Sequence, residues 1–176
     1  MIARMNRTLA TAALATALLT GLTACSNGTS NSGSSSSQKP SATASKPVTA
    51  DAAFASISSK VSSAKLSGTV TAENDPNHLL GRPNQYTSKV TFTDSRIKAT
   101  DVTGTEKGDV ERGGAIEVFS SPADATARAK YIQAVTKAMP ALTEYDYVNG
   151  TVVLRVSHYL TPAQAATYKA AAAHLS

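Results

Sequence analysis

From residue 49 onward the apolar positions recur with two different periods. Phe54, Ile57, Val61 and Ala64 fall on one face at helical spacing, with Lys60 and several serines opposite, which predicts a helix starting near Thr49. The period then shortens to two. Tyr86, Val90 and Phe92 alternate with Thr87, Lys89, Thr91 and Thr93, the pattern of a half-buried strand. Residues 66–72, 97–102 and 115–119 are shorter strand candidates.

Two further helices carry their own start signals. In SSPADATARAKYIQAVTKAMP, Ser121 stands as N-cap, Pro122 occupies the first helical position and Asp124 lies three residues after the cap. Ala125, Ala129, Ile132, Val135 and Met139 form the expected buried stripe, and Pro140 ends the helix. In LTPAQAATYKAAAAHL, Thr161, Pro162 and Gln164 repeat the signature, with Ala165, Tyr168, Ala172 and Leu175 facing inward. Between these helices lies EYDYVNGTVVLRVS. Asn149-Gly150 is the preferred pair for a two-residue type I′ turn. That turn would set Tyr147 opposite Val152, Tyr145 opposite Leu154 and Glu144 opposite Arg155.

The element order predicts an α+β domain over residues 50–176. It would hold a mainly antiparallel sheet with about three helices packed on one face. At 127 residues this is one domain with one core, too short for a two-lobed receptor.

The first 49 residues follow a different pattern. Arg4 and Arg7 precede an uncharged run of Ala, Leu, Thr and Gly from Leu9 to Leu22, the layout of a signal peptide. The run is shorter than the roughly 20 apolar residues a spanning helix needs. It ends in Leu22-Thr23-Ala24-Cys25, which resembles the lipobox of bacterial lipoprotein precursors. The resemblance implies cleavage after Ala24, a diacylglyceryl group on the Cys25 thiol, and a domain held at the outer, extracytoplasmic face of the cell membrane. Residues 1–24 are then the signal peptide and residues 25–49 the lipidated cysteine with a tether. Nine of residues 26–49 are serine and none is aromatic, a composition that cannot offset the entropy of ordering. Cys25 is the sole cysteine, so its acylation leaves no thiol for a disulfide, for catalysis or for a metal.

The formal net charge of +5 shrinks once this layout is taken into account. Four of the 17 Lys and Arg precede residue 50, while all 12 Asp and Glu follow it. No basic cluster stands beside stacking aromatics, so no nucleic-acid partner is expected.

Catalytic signatures are sparse. His78, His158 and His174 form no HExxH, and no GxSxG elbow is present. GDVERGGA, residues 108–115, lacks the ending of a phosphate loop and reads as a mobile surface loop. The segment AENDPNHLLGRPNQYTS, residues 72–88, is long for a strand connection. It carries Asp75, Asn77, His78, Arg82, Asn84 and Gln85, which make it a candidate binding loop. In that reading Leu79 and Leu80 anchor it while Asp75, His78 and Arg82 face outward. The alternative is an Asx-Pro turn serving as scaffold, with Arg82 paired to a carboxylate. Asp75 and Asn77 begin like a calcium loop, but Leu79 stands where the next ligand belongs, so neither metal nor cofactor is expected.

The stretches DPNHLLGRPNQYTS, AIEVFSSPADATARAKYI and EYDYVNGTVVLRVS followed by LTPAQA resemble small actinobacterial-type lipoproteins. That family brings no catalytic residues to transfer. The expectation is a monomeric, non-catalytic binding module that holds an envelope protein or a cell-wall ligand. A structural accessory of an envelope complex and an enzyme or inhibitor-type effector are the alternatives.

Overall fold

The computed structural model describes residues 48–175. The expected signal peptide, the Leu22–Cys25 motif and most of the expected tether fall outside them. The elements run α1 (Ala50–Ser58), β1 (Ala64–Thr69), β2 (Tyr86–Asp94), β3 (Gly113–Phe119), α2 (Pro122–Ala138), β4 (Glu144–Asn149), β5 (Val152–Ser157) and α3 (Pro162–Ala172). The strands form one five-stranded sheet in the order β1-β2-β3-β5-β4, with every pairing antiparallel. This is an α+β domain. No helix among the described residues is long and apolar enough to cross a membrane.

The helix starts follow the local sequence. Thr49 caps α1 by accepting from the Ala52 N–H, Ser121 caps α2 by accepting from Asp124, and Thr161 with Gln164 forms a reciprocal capping box on α3. Helix α1 stops sooner than its apolar stripe suggested. It ends at Ser58, Val61 is buried beyond it, and Ala64 already begins β1.

One face of the sheet carries the main core. Val90, Phe92, Ile116, Val118, Val152, Leu154 and Val156 pack there against Ala53 and Ile57 of α1 and Ala165, Tyr168 and Ala172 of α3. Phe92 stacks on Tyr168 at 5.4 Å between ring centres. The Tyr168 hydroxyl donates to the buried Asp94 carboxylate at 2.6 Å, which also receives Ser63 and Arg96. Burial alone would raise the Asp94 carboxyl, but the Arg96 guanidinium and the Tyr168 hydroxyl outweigh it and hold it below its usual range.

The expectation of helices on one face holds for α1 and α3, whereas α2 lies across the opposite face. There Tyr86, Phe119 and Val153 form a second small apolar cluster, against which α2 sets Ala125 and Ala129. Two alanines let the helix approach one end of this face, where apolar side chains are available. Further along this face stand Lys89, Glu117 and Arg155, which are charged.

Two register details differ from the sequence pattern. In β2, Tyr86 pairs with Phe119 but Ser88 pairs with Val118, so one extra residue bulges between them. The bulge turns Tyr86 to the α2 face, away from Val90 and Phe92. In the hairpin, Asn149 pairs with Val152, Tyr147 with Leu154 and Asp146 with Arg155, so the turn is Gly150-Thr151 rather than Asn149-Gly150. The cause is tertiary. The Asn149 amide donates to the Ala172 and Leu175 carbonyls at 2.7 and 3.2 Å, satisfying the end of α3. Asn149 therefore stays in β4, and Gly150 supplies the positive φ of 54°.

Residues 97–102 are not a strand. The chain from Asp94 to Asp109 runs through successive turns, closed by Ile97 N–H to Asp94, Asp101 to Lys98, Thr105 to Val102 and Asp109 to Glu106. Val102 is buried and Ile97 packs against the core, which accounts for their apolar character without a sheet partner. GDVERGGA is likewise more ordered than a surface loop. Residues Val110–Arg112 make a single 3-10 turn, and Gly113 and Gly114 are buried strand residues. A side chain at Gly113 would collide with the backbone of β2, and one at Gly114 with the backbone of β5 and the Phe92 ring.

Candidate functional site

The α2 face of the sheet holds a cleft of about 800 Å³. Its floor is built by Lys89 of β2, Ala115 of β3, Glu144 of β4 and Arg155 of β5. Helix α2 forms one wall with Ala127, Arg128, Tyr131, Ile132 and Val135. The segment 108–111 forms another, and part of the 76–85 loop closes an end.

Beneath the floor lies Glu117, on the central strand and fully buried. Lys89 stands directly across from it in the β2–β3 ladder, with Nζ at 3.0 Å. Arg128 reaches down from α2 and places Nε at 2.8 Å and Nη2 at 3.3 Å. Arg155 adds Nη1 at 3.3 Å and uses Nε and Nη2, at 2.7 and 2.8 Å, to grip Glu144. Burial would raise the Glu117 carboxyl, but Lys89, Arg155 and Arg128 together hold it at about 2. Burial would lower the Arg155 guanidinium, but Glu144 and Glu117 raise it, so it stays charged.

The Glu144–Arg155 pair predicted from the sequence therefore exists, but diagonally across the ladder. Asp146 stands directly opposite Arg155 instead. Its Oδ1 is buried without a hydrogen-bond partner. Burial and the neighbouring Glu144 carboxylate push the Asp146 carboxyl well above its usual range, up to about 8. Nothing in the hydrophobic pattern singled out Asp146, because its neighbours depend on the two-residue shift of register.

These contacts give the floor a one-sided character. The Glu117 carboxylate receives four donors, which uses its acceptor capacity, and Glu144 receives two from Arg155. Lys89 and the two arginines retain N–H groups beyond these bonds. The floor thus offers donors, while its carboxylates are taken.

The 72–88 segment divides between two roles. Asn77, Asn84 and Gln85 line the cleft. Asp75, His78 and Arg82 do not; they surround a smaller hollow with Leu80. His78 and Arg82 are exposed, as expected, and Arg82 makes no ion pair among the described residues. Asp75 departs from the expectation. It is buried and organises the loop from inside, accepting from the Asn77, Leu79 and Leu80 N–H groups and from the Tyr86 hydroxyl. Burial would raise its carboxyl, but these donors hold it at about 2. Leu79 and Leu80 pack against the second apolar cluster. The loop takes left-handed backbone at His78, Gly81 and Asn84.

The remaining histidines lie elsewhere. His158 is half-buried after β5 with its ring 4.2 Å from that of Tyr159, and His174 is exposed beyond α3. No group of three or more His, Cys, Asp or Glu side chains among the described residues is arranged to hold a metal ion. Comparison of the chain with protein-family models, with curated proteins and with solved structures found no match.

Proposed function

We propose that this chain is a membrane-anchored extracytoplasmic lipoprotein whose globular domain is a non-catalytic binding module, with the α2-face cleft as its binding site. The Leu22-Thr23-Ala24-Cys25 motif after an uncharged apolar run supports the anchor. The observation that carries the binding role is the cleft itself. It lies within the size range of small-molecule sites and combines an apolar helix wall with a floor of buried, oriented donors. Lys89, Arg128 and Arg155 are held in place by Glu117, which pre-pays the ordering of long side chains.

Ala127 is exposed, lies on the cleft wall of α2 and makes no side-chain hydrogen bond. Ala127→Trp should fill the cleft with little effect on melting temperature. Small molecules that raise the melting temperature of the full chain should lose that effect in the variant. Ligands that bind Ala127→Trp as tightly as the native chain would place the site elsewhere.

A further inference from the structure

The charges around the cleft are sorted by position. Three cations, Lys89, Arg128 and Arg155, stand on the floor and the lower helix wall. Four carboxylates line the cleft, from Asp109, Glu111, Asp124 and Glu144, and Glu117 lies beneath them. Three of the four are engaged. Glu144 holds Arg155, and Asp124 receives the Ser121 hydroxyl at the start of α2. Asp109 accepts from the Glu106 N–H. The Glu111 carboxylate has no hydrogen-bond or ion-pair partner among the described residues, although its backbone carbonyl is fixed by the Ser157 hydroxyl at 2.7 Å. Ser157 is two residues beyond Arg155 on β5, a step of about 7 Å along the strand. Glu111, whose carboxylate is free, is thus tied through its backbone to the strand that carries Arg155, and it lines the same cleft.

This arrangement selects among charge types. A polyanion would meet five carboxylates in and under the cleft. A simple cation would have to approach three fixed cations. A neutral apolar molecule would leave the buried Lys89 and Arg128 donors covered and unanswered, which costs free energy. A molecule with an acceptor-rich anionic end and a cationic end satisfies both poles. Between the poles the wall is apolar and aromatic. Tyr131 is exposed, with the Arg128 guanidinium 5.8 Å from its ring centre, and Ile132 and Val135 follow on the same wall.

On the reading of this cleft as the binding site, we propose that its ligand is a zwitterion of the short-peptide or amino-acid class. Its carboxylate takes the spare N–H groups of Lys89 and Arg128. Its ammonium group pairs with Glu111. An apolar side chain lies against Tyr131, Ile132 and Val135.

The test uses the tripeptide Ala-Leu-Ala in four forms: free, N-acetylated, C-amidated and blocked at both ends. Binding to the full chain is measured by calorimetry. The free form should bind, and each single block should weaken binding at least tenfold. Glu111→Gln, at a half-buried position in a 3-10 turn, should remove the penalty of acetylation and leave that of amidation. The peptide series on the native chain is decisive even if Glu111→Gln folds poorly. Equal binding of all four forms would overturn the zwitterion while leaving a binding cleft. No binding by any form overturns it too. The wider reading then stands or falls on whether Ala127→Trp abolishes the melting shifts caused by other small molecules.

Discussion

The Tyr86 hydroxyl donates to the Asp75 carboxylate at 2.7 Å, and both groups are buried. This bond links the end of the sheet to the loop that closes the cleft, and the bulge between Tyr86 and Ser88 is what aims the tyrosine there. Asp75 also satisfies three backbone N–H groups of its own loop. Asp75→Ala should therefore cost about 3 kcal/mol, because it strands several buried donors at once. Tyr86→Phe keeps the ring in the core and should cost about 1–2 kcal/mol. His78→Ala and Arg82→Ala, at exposed positions, should each stay below about 1 kcal/mol. Denaturant unfolding separates these cases. An Asp75→Ala cost no larger than that of His78→Ala would mean that the carboxylate does not hold the loop.

Glu117 is the common partner of Lys89, Arg128 and Arg155. Glu117→Gln removes the buried charge that neutralises them and should destabilise the domain by about 3–5 kcal/mol. Adding Lys89→Met to that background should cost much less than Lys89→Met alone, since the lysine has then lost its reason to be charged there. Additivity of the two substitutions to within about 0.5 kcal/mol would show that they are not coupled.

Two groups of carboxyls give opposite pH dependences. Glu117, Asp75 and Asp94 are held below their usual range in the folded chain. Their stabilisation is present above the unfolded carboxyl range and is lost as pH falls through the lowered folded values, about 2 for Glu117 and Asp75. Asp146 is raised to about 8, so between its ordinary value and pH 8 the folded chain binds a proton that the unfolded chain has released. Its contribution falls as pH rises through that window. Stability should thus peak in mildly acid solution. Asp146→Asn should flatten the decline toward pH 8 and leave the acid limb unchanged. An unaltered profile in Asp146→Asn would remove Asp146 as its source.

Anchoring should depend on Cys25 alone. Cys25→Ser should leave the protein unlipidated and released from membranes, because the thiolate is the nucleophile that forms the thioether. Mass spectrometry of the mature native N-terminus checks this directly. An unmodified Cys25, or a different first residue, would remove the lipoprotein reading.

What was legible in the sequence is what neighbours in the chain decide. Thr49, Ser121 and Thr161 each cap the helix that follows because the hydroxyl needs only an N–H two or three residues away. The alternation in residues 86–93 and 145–156 marked strands because one sheet face is apolar along most of its length. The apolar residues 97–102 misled for the converse reason: burial of Val102 and Ile97 needs a core, and a core can be reached from a turn as well as from a strand.

Registers and the cleft required the tertiary structure. A one-residue bulge reverses the face of Tyr86 without altering composition, and Asn149 is drawn out of the turn by carbonyls of a helix more than 20 residues later. The cluster around Glu117 unites residues from β2, β3, α2 and β5, each of which reads in sequence as one charged residue among many. Their meaning comes from burial. The same side chains in water would contribute little, whereas beneath α2 they must satisfy one another, and that requirement makes the floor of the cleft.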